Sequence, residues 1–317
     1  MAKRVLITGG AGFIGSALAD RLLDRSDQVC VIDNYSTGRR DNLTPRDGLE
    51  IVEGSIADSE LMGRIFDEFK PEVVIHAAAS YKDPEAWIED SDTNVVGTSI
   101  VVDGCRKAEV ERLIYFQTAL CYGLNPDEQP IPIDHELRPR ESSYAISKTA
   151  GEHYVALSGL NWVSFRLANG YGPRNVTGPL PTFFQRLTNG NSVFVMDTRR
   201  DFVFIDDLVN VVVRAVDGEG ESGPYHVSSG SDVSIAELFE AAVEAIGIDL
   251  EEPVEVRQRN PDDAFTILLD PAKTHTQFPG WSANTPLQEG VTSAVNYYRE
   301  FGIEETFTHL HMPEEEK

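Results

Sequence analysis

The run Val5-Leu6-Ile7-Thr8-Gly9-Gly10-Ala11-Gly12-Phe13-Ile14-Gly15 decides the architecture. Its apolar start reads as a buried strand, and helical spacing follows from Gly12 to about Arg25. Gly9, Gly12 and Gly15 therefore sit where a strand turns into a helix. Glycine permits the tight turn and lets the backbone approach a pyrophosphate. The helix N-terminus adds free N–H groups and a partial positive charge. A second apolar run, Val29-Cys30-Val31-Ile32, ends at Asp33, twenty-one residues after Gly12. That carboxylate can accept hydrogen bonds from an adenosine ribose and would repel a 2′-phosphate. The turn and the acid together predict a dinucleotide site that takes NAD rather than NADP.

Outward from this turn, short apolar runs alternate with helical patterns. Runs at Leu49–Val52, Val73–Ile75, Leu113–Phe116 and Val163–Phe165 are separated by helical spacing over Leu61–Phe69, about Asp90–Lys107, and Tyr144–Leu157. Unbroken apolar strands between helices indicate βαβ units around a buried parallel sheet. The expected fold is α/β, a doubly wound, Rossmann-like parallel sheet with a smaller C-terminal α/β lobe. After about Ala168 glycine and proline become frequent. A strand-like Phe202–Ile205 and helical patterns at Asp207–Val216, Ile235–Ile246 and Leu287–Tyr298 follow. Residues 1–167 are expected to form the NAD-binding domain, with 202–227 returning to it. Residues 168–201 and 228–317 are expected to form a substrate-binding lobe.

The chain of 317 residues is 41% hydrophobic and 25% charged, the balance of a soluble globular protein. Acidic residues outnumber basic ones 52 to 27, a net charge of −25, and such a field repels nucleic acid and anionic membrane. Cys30, Cys105 and Cys121 have no metal-ligand spacing, so neither a metal site nor a disulfide framework is expected. No run approaches the roughly 20 apolar residues of a membrane span. The N-terminus runs directly into a strand without an apolar signal segment, which makes the cytoplasm the expected location.

Ser142-Ser143-Tyr144-Ala145-Ile146-Ser147-Lys148 carries a second signal. Tyr144 and Lys148 are four residues apart and share one helix face. A phenol of pKa about 10 is a poor base at neutral pH. A nearby ammonium and a cationic nicotinamide ring would favour the phenolate. Thr118 follows the apolar run Leu113–Phe116, at the end of a strand.

Together these residues resemble the extended short-chain dehydrogenase/reductases that act on nucleotide sugars, over nearly the whole chain. Gly9, Gly12, Phe13, Ile14 and Gly15 match the family turn, and Asp33-Asn34-Tyr35-Ser36-Thr37-Gly38 is similar to a loop of its 4-epimerases. Ser55, where the family usually has Asp, and Ile56 fall in the adenine segment; His76-Ala77-Ala78-Ala79 matches the segment along the cofactor. Asn94-Val95-Val96-Gly97-Thr98 matches its NVxGT helix. The resemblance assigns catalysis to Thr118, Tyr144 and Lys148, the last two also touching NAD. It assigns substrate contacts to Lys82, Thr118, Asn169 in Arg166–Arg174, Phe194, Arg200 in Arg200-Asp201-Phe202, and Arg259, with Arg257 as a rival. Val195–Arg199 lacks the glycines and glutamine usual before that arginine.

Thr118-Ala119-Leu120-Cys121-Tyr122-Gly123 looks like the corresponding stretch in epimerases of bacterial surface-polysaccharide pathways. Dehydratases of the family carry acids directly after the hydroxyl residue. Here Ala119 and Leu120 can do no acid–base work. The resemblance therefore implies NAD-dependent inversion at C4 of a UDP-hexose or UDP-hexuronic acid through a 4-keto intermediate. A dehydratase or decarboxylase would need a base from elsewhere, such as Tyr81, Lys82, Cys121 or His135. A non-catalytic NAD sensor on the same fold is the reading from another class. The resemblance also implies a homodimer formed through the helices at 90–107 and 144–157.

Overall fold

The computed structural model describes residues 2–250, 252–260, 263–303 and 305–307. Its centre is a seven-stranded parallel sheet. The strands are β1 (Arg4–Thr8), β2 (Gln28–Asp33), β3 (Leu49–Glu53), β4 (Val73–His76), β5 (Arg112–Thr118), β6 (Trp162–Leu167) and, later in the chain, β11 (Gly223–Val227). They lie in the order β3-β2-β1-β4-β5-β6-β11. The order reverses at β1, which pairs with β2 on one side and β4 on the other. That reversal opens a crevice at the carboxyl ends of the strands, the usual place for a ligand in such sheets.

Side chains alternate across the sheet, as the strand period requires. Val5, Ile7, Val29, Val31, Ile114 and Phe165 pack on one face. That face is covered by α1 (Phe13–Asp24) and, after the sixth strand, α7 (Ile205–Val216). Leu6, Cys30, Ile32, Val74 and Leu113 pack on the other. There they meet α2 (Ser59–Phe69), α4 (Thr98–Lys107) and α5 (Ser143–Leu157). Apolar residues on both faces explain the unbroken runs in the sequence. Caps set the helix starts: Asp58 accepts from Glu60 and Leu61 N–H at the head of α2, and Ser142 from Ala145 N–H at the head of α5.

The helical pattern expected from about Asp90 to Lys107 begins earlier and is not uniform. A short α3 (Trp87–Asp90) runs into a π-helical stretch, Ser91–Gly97, and then into α4. Asn94 anchors the stretch inward, bonding Ser80 N–H and C=O at 2.9 Å each and Ser147 Oγ at 3.0 Å. The wider turns keep Asp90, Asn94 and Thr98 all on the buried side.

Beyond β6 the elements are smaller. β7 (Asn169–Tyr171) pairs with β10 (Phe202–Phe204), β8 (Phe194–Met196) with β13 (Glu255–Arg257), and β9 (Arg199–Arg200) with β12 (Val233–Ser234). α6 (Pro179–Thr188), α8 (Ile235–Ile246) and α10 (Leu287–Phe301) share an apolar core with the Phe183–Phe239 and Phe184–Tyr298 ring pairs. α9 (Ala272–Gln277) lies against β11. The stretch 202–227 runs back to the large sheet: α7 meets α1 through Arg21–Asn210, and β11 pairs with β6. Among the described residues, no helix is long and apolar enough to cross a membrane.

Candidate active site

The glycine turn joins β1 to α1 at the crevice. Gly9 has φ +67°, and a Cβ there would lie 2.7 Å from the Ala78 backbone. A Cβ on Gly15 would lie 2.3 Å from the Gly9 carbonyl oxygen, so both positions exclude a side chain. Gly12 is the N-cap of α1; no side chain caps that helix and its first turn holds no acid. The N–H groups of that turn and the helix dipole are thus left for an anion. Asp33, at the end of β2, is buried and accepts from Ala11 N–H and Tyr35 N–H at 2.8 Å each. Burial raises its pKa, while the two backbone donors pull it down. A carboxylate oxygen accepts more than one bond, so these contacts leave capacity for a ribose. Ala77 to Ala79 follow β4 beside Gly9 and stay partly exposed. Asn34 and Ser36 are exposed in the loop after β2, and Gly38 lies close to Asp33. A pyrophosphate at Gly12 and a ribose at Asp33 suit an NAD molecule.

Three predicted cofactor residues are also held within the fold. Ile56 is buried against Gly97. Ser55 Oγ accepts from Ala57 N–H at 3.1 Å. His76 is buried between Thr8 Oγ1 at 2.7 Å and Thr98 Oγ1 at 2.9 Å. Thr98 donates to the Asn94 carbonyl and Ala78 N–H donates to Thr8. This chain of donors puts the imidazole proton on Nε2 and makes Nδ1 the acceptor. Burial, then the nearby Lys148, pushes the His76 pKa down to about 3. The ring is a neutral strut beneath the cofactor crevice.

Thr118 ends β5, and its Oγ1 accepts from Leu120 N–H at 3.2 Å. The hydroxyl caps a short 3₁₀ turn, Ala119–Tyr122, and keeps its own proton available for a ligand. Tyr144 begins α5, and Lys148 follows one turn later. Lys148 is 2% exposed, and its Nζ lies 4.2 Å over the Tyr115 ring. Burial lowers its pKa to about 7, and Glu152 works against that fall. Burial raises the Tyr144 pKa, with Tyr81 and Asp90 adding to it. All three contributions favour the phenol over the phenolate.

Glu152 lies one further turn along α5. It is buried and meets Arg166 of β6, with Oε2 at 3.0 Å from Nη2 and Oε1 at 3.2 Å from Nε. Ser164 donates to the same carboxylate at 2.5 Å. Arg166 also donates to Tyr122 OH at 2.7 Å, and that hydroxyl meets His226 Nε2 at 2.6 Å. The network ties the turn after Thr118 to the helix bearing Tyr144 and Lys148. The four-residue step from Lys148 to Glu152 is the signal that points to this residue in the sequence.

On the opposite wall, cations are already engaged within the protein. Arg200 Nη2 meets Asp263 Oδ1 at 2.5 Å, and Arg259 donates to the Asp263 carbonyl at 2.8 Å. Asn169 Nδ2 donates to Asp201 C=O at 3.2 Å, leaving its side-chain oxygen open. Arg257 covers the Phe194 ring at 3.8 Å, and Lys82 lies 5.0 Å over Phe307. A cavity of about 430 Å³ runs past Leu120, Arg140, Ser143 and Asp263. Each of the four rival bases is buried or has a partner of its own, and Tyr81 also lies edge-on to Tyr144 at 6.4 Å. Burial pushes the Cys121 thiol far up. His135 donates to Glu136 C=O and accepts from Asp127 N–H. Lys82 sits over Phe307, and Tyr81 is met by Thr177 at 3.5 Å. Among the described residues no group of acids, histidines or cysteines could hold a metal.

Residues 5–228 match the NAD dependent epimerase/dehydratase family. The chain belongs to that family. A Bordetella bronchiseptica enzyme, WbmH, solved in complex with NAD⁺, is 53% identical with a TM-score of 0.92, covering 95% of this chain and 100% of that one. WbmG of the same organism, solved with NAD and UDP, is 44% identical with a TM-score of 0.90, covering 99% and 100%. A UDP-glucose 4-epimerase of Mycolicibacterium smegmatis is 34% identical over 317 residues, covering 93% of this chain and 98% of that protein. This NAD dependent epimerase/dehydratase is thus a Rossmann-like α/β protein of the nucleotide-sugar class, and NAD is its cofactor.

Proposed function

We propose that the protein is a nucleotide-sugar epimerase that inverts C4 of a UDP-hexose or UDP-hexuronic acid through a 4-keto intermediate. One observation carries this reading. The turn after Thr118 carries Ala119, Leu120, the buried thiol of Cys121 and Tyr122, whose hydroxyl is engaged by Arg166 and His226, and no acid. A dehydration needs a second base and an acid; an epimerisation does not.

Bound NAD supplies a reversible hydride acceptor. Tyr144 takes the proton of the C4 hydroxyl and returns it once the ketone presents its other face. Lys148, one turn along the same helix, favours the phenolate when charged and holds the nicotinamide ribose. Thr118 donates to the reacting oxygen and orients it. Asn169 and the arginines Arg200 and Arg259 receive the diphosphate, for which guanidinium geometry is suited. Residues 1–167 with 202–227 serve the cofactor, and 168–201 with 228–317 serve the substrate. The return of 202–227 to the large sheet supports that division. The test is incubation with UDP-hexoses and UDP-hexuronic acids in the presence of NAD⁺. C4 exchange without net NADH is expected; NAD binding with no turnover across the panel would sink the reading.

The same reading includes a homodimer. Trp87, Ile88, Ile146 and Leu157, on α3 and α5, are exposed at 63%, 86%, 50% and 82%. An apolar face of this kind suits a second copy. Ile88→Asp with Leu157→Asp should convert a dimeric mass in solution to a monomeric one; a monomeric wild type would refute the assembly.

A further inference from the structure

Asn42 joins two parts of the molecule through one side chain. It is 3% exposed and ends the short 3₁₀ turn Arg40–Asn42, in the loop after β2. Its Nδ2 donates to the Ala11 carbonyl, inside the glycine turn, at 2.8 Å. Its Oδ1 accepts from Tyr297 OH, on α10, at 3.0 Å. The amide is donor to one element and acceptor from another, and neither a carboxylate nor an alkyl chain could fill both roles. Arg39 adds a parallel tie. Its backbone N–H donates to the same Ala11 carbonyl at 3.1 Å, and its guanidinium donates to Phe301 and Gly302 C=O, at the end of α10, at 3.3 and 3.2 Å. A cation on the last carbonyls of a helix is favourable. Ala11 is fully buried, and its own N–H goes to Asp33. α10 itself packs with α6 and α8, far from the glycine turn in sequence.

We propose that Asn42 is a positioning residue for NAD: its amide couples α10 to the glycine turn, so that the C-terminal elements help to set the affinity for the dinucleotide. This rests on the glycine turn being the pyrophosphate site, and not on the reaction at C4. The groups that meet NAD come from nearby chain, but the amide that braces them is itself held from α10. The Ala11 carbonyl accepts from Asn42 Nδ2 and Arg39 N–H, which fills its two lone pairs, and the Ala11 N–H is fixed on Asp33. The peptide groups on either side of Ala11 are therefore held in one orientation, and the N–H groups that follow at the head of α1 keep their aim. Without the Tyr297 hydroxyl the buried Asn42 oxygen loses its acceptor role, and the amide is free to leave Ala11.

The test needs no turnover. NAD⁺ is titrated by calorimetry into the full chain freed of cofactor. Tyr297→Phe removes one hydroxyl and should weaken NAD about threefold; Asn42→Ala should weaken it about tenfold, the scale of one to two neutral hydrogen bonds. In the double variant the loss should match that of Asn42→Ala alone, because the phenol acts through the amide. Side chains that served only to hold the fold together would lower the melting temperature and leave NAD affinity unchanged well below it. Unchanged affinity in Tyr297→Phe therefore overturns the proposal, even where Asn42→Ala fails to fold. Losses that simply add in the double variant overturn it as well. Asp33→Ala tells this failure from a failure of the site. Unchanged affinity there too would remove the turn as the dinucleotide site, whereas a loss confined to Asp33→Ala would remove only the coupling through Asn42.

Discussion

The two walls of the crevice are built differently. On the cofactor wall, the groups facing the ligand are set by contiguous chain: the Gly9–Gly15 turn, the uncapped head of α1, and Asp33 pinned by Ala11 and Tyr35 N–H. On the substrate wall, Arg200, Lys82 and Asn169 are each held by a partner distant in sequence. Arg200 is paired with Asp263, and Lys82 lies over Phe307. The first wall is preorganised and still has capacity for a ligand. The second has satisfied itself and must exchange internal partners for a substrate. Preorganised groups carry their full value into binding, whereas paired ones yield only the surplus over the partner they give up.

The largest test of this contrast lies where the walls meet. Tyr144→Phe should lower turnover by on the order of a thousandfold, the usual range for removing a general base. NAD affinity should hardly move, since the turn and Asp33 are untouched. Near-normal turnover would take the tyrosine out of the chemistry. Next in size, Asp33→Ala should weaken NAD by roughly 10–100-fold, the scale of charge-assisted hydrogen bonds, and NADP far less. Equal losses, measured by titration of both dinucleotides, would break the ribose assignment.

The contrast also explains what the sequence disclosed. The sheet and the glycine turn were legible because their determinants are local: apolar runs for buried strands, glycines at the turn, an acid at the next strand end. Tyr144 and Lys148 were legible as a helix pair. The role of His76 was not, because it depends on Thr8 and Thr98 meeting its two nitrogens from different elements. Nor could the pattern at 90–107 disclose the π-helical stretch, which depends on Asn94 finding Ser80 and Ser147. Asp263 became visible only once folding brought it to Arg200.

The substrate wall can be tested by removing either half of its central pair. Arg200→Ala should weaken UDP by roughly 10–100-fold, since a charge-assisted contact is lost. Asp263→Asn should do the reverse, tightening UDP by about threefold by relieving the competition for Arg200. Calorimetry on both variants would measure this. If Asp263→Asn instead weakens UDP, the carboxylate serves to orient the arginine, and the two walls are more alike than their contacts suggest.

The smallest effect concerns the strut beneath the cofactor wall. His76 has its pKa lowered to about 3 in the folded protein, against an ordinary 6.5. Between those values the unfolded chain binds a proton that the folded chain refuses, so stability rises with pH across that window. The stabilisation is fully present above pH 6.5 and is lost progressively as pH falls towards 3. His226, lowered to about 4 by burial, adds a second contribution of the same sign. Replacing His76 by Gln keeps a donor and an acceptor but removes the titration. The variant should be less stable than the wild type at pH 8, and the gap should narrow as the pH is lowered through 6 to 5. Thermal melts of both proteins across that range would show it. A gap independent of pH would mean that His76 titrates alike in the folded and unfolded chain, contrary to a buried neutral ring held by the donor chain from Ala78 to Asn94.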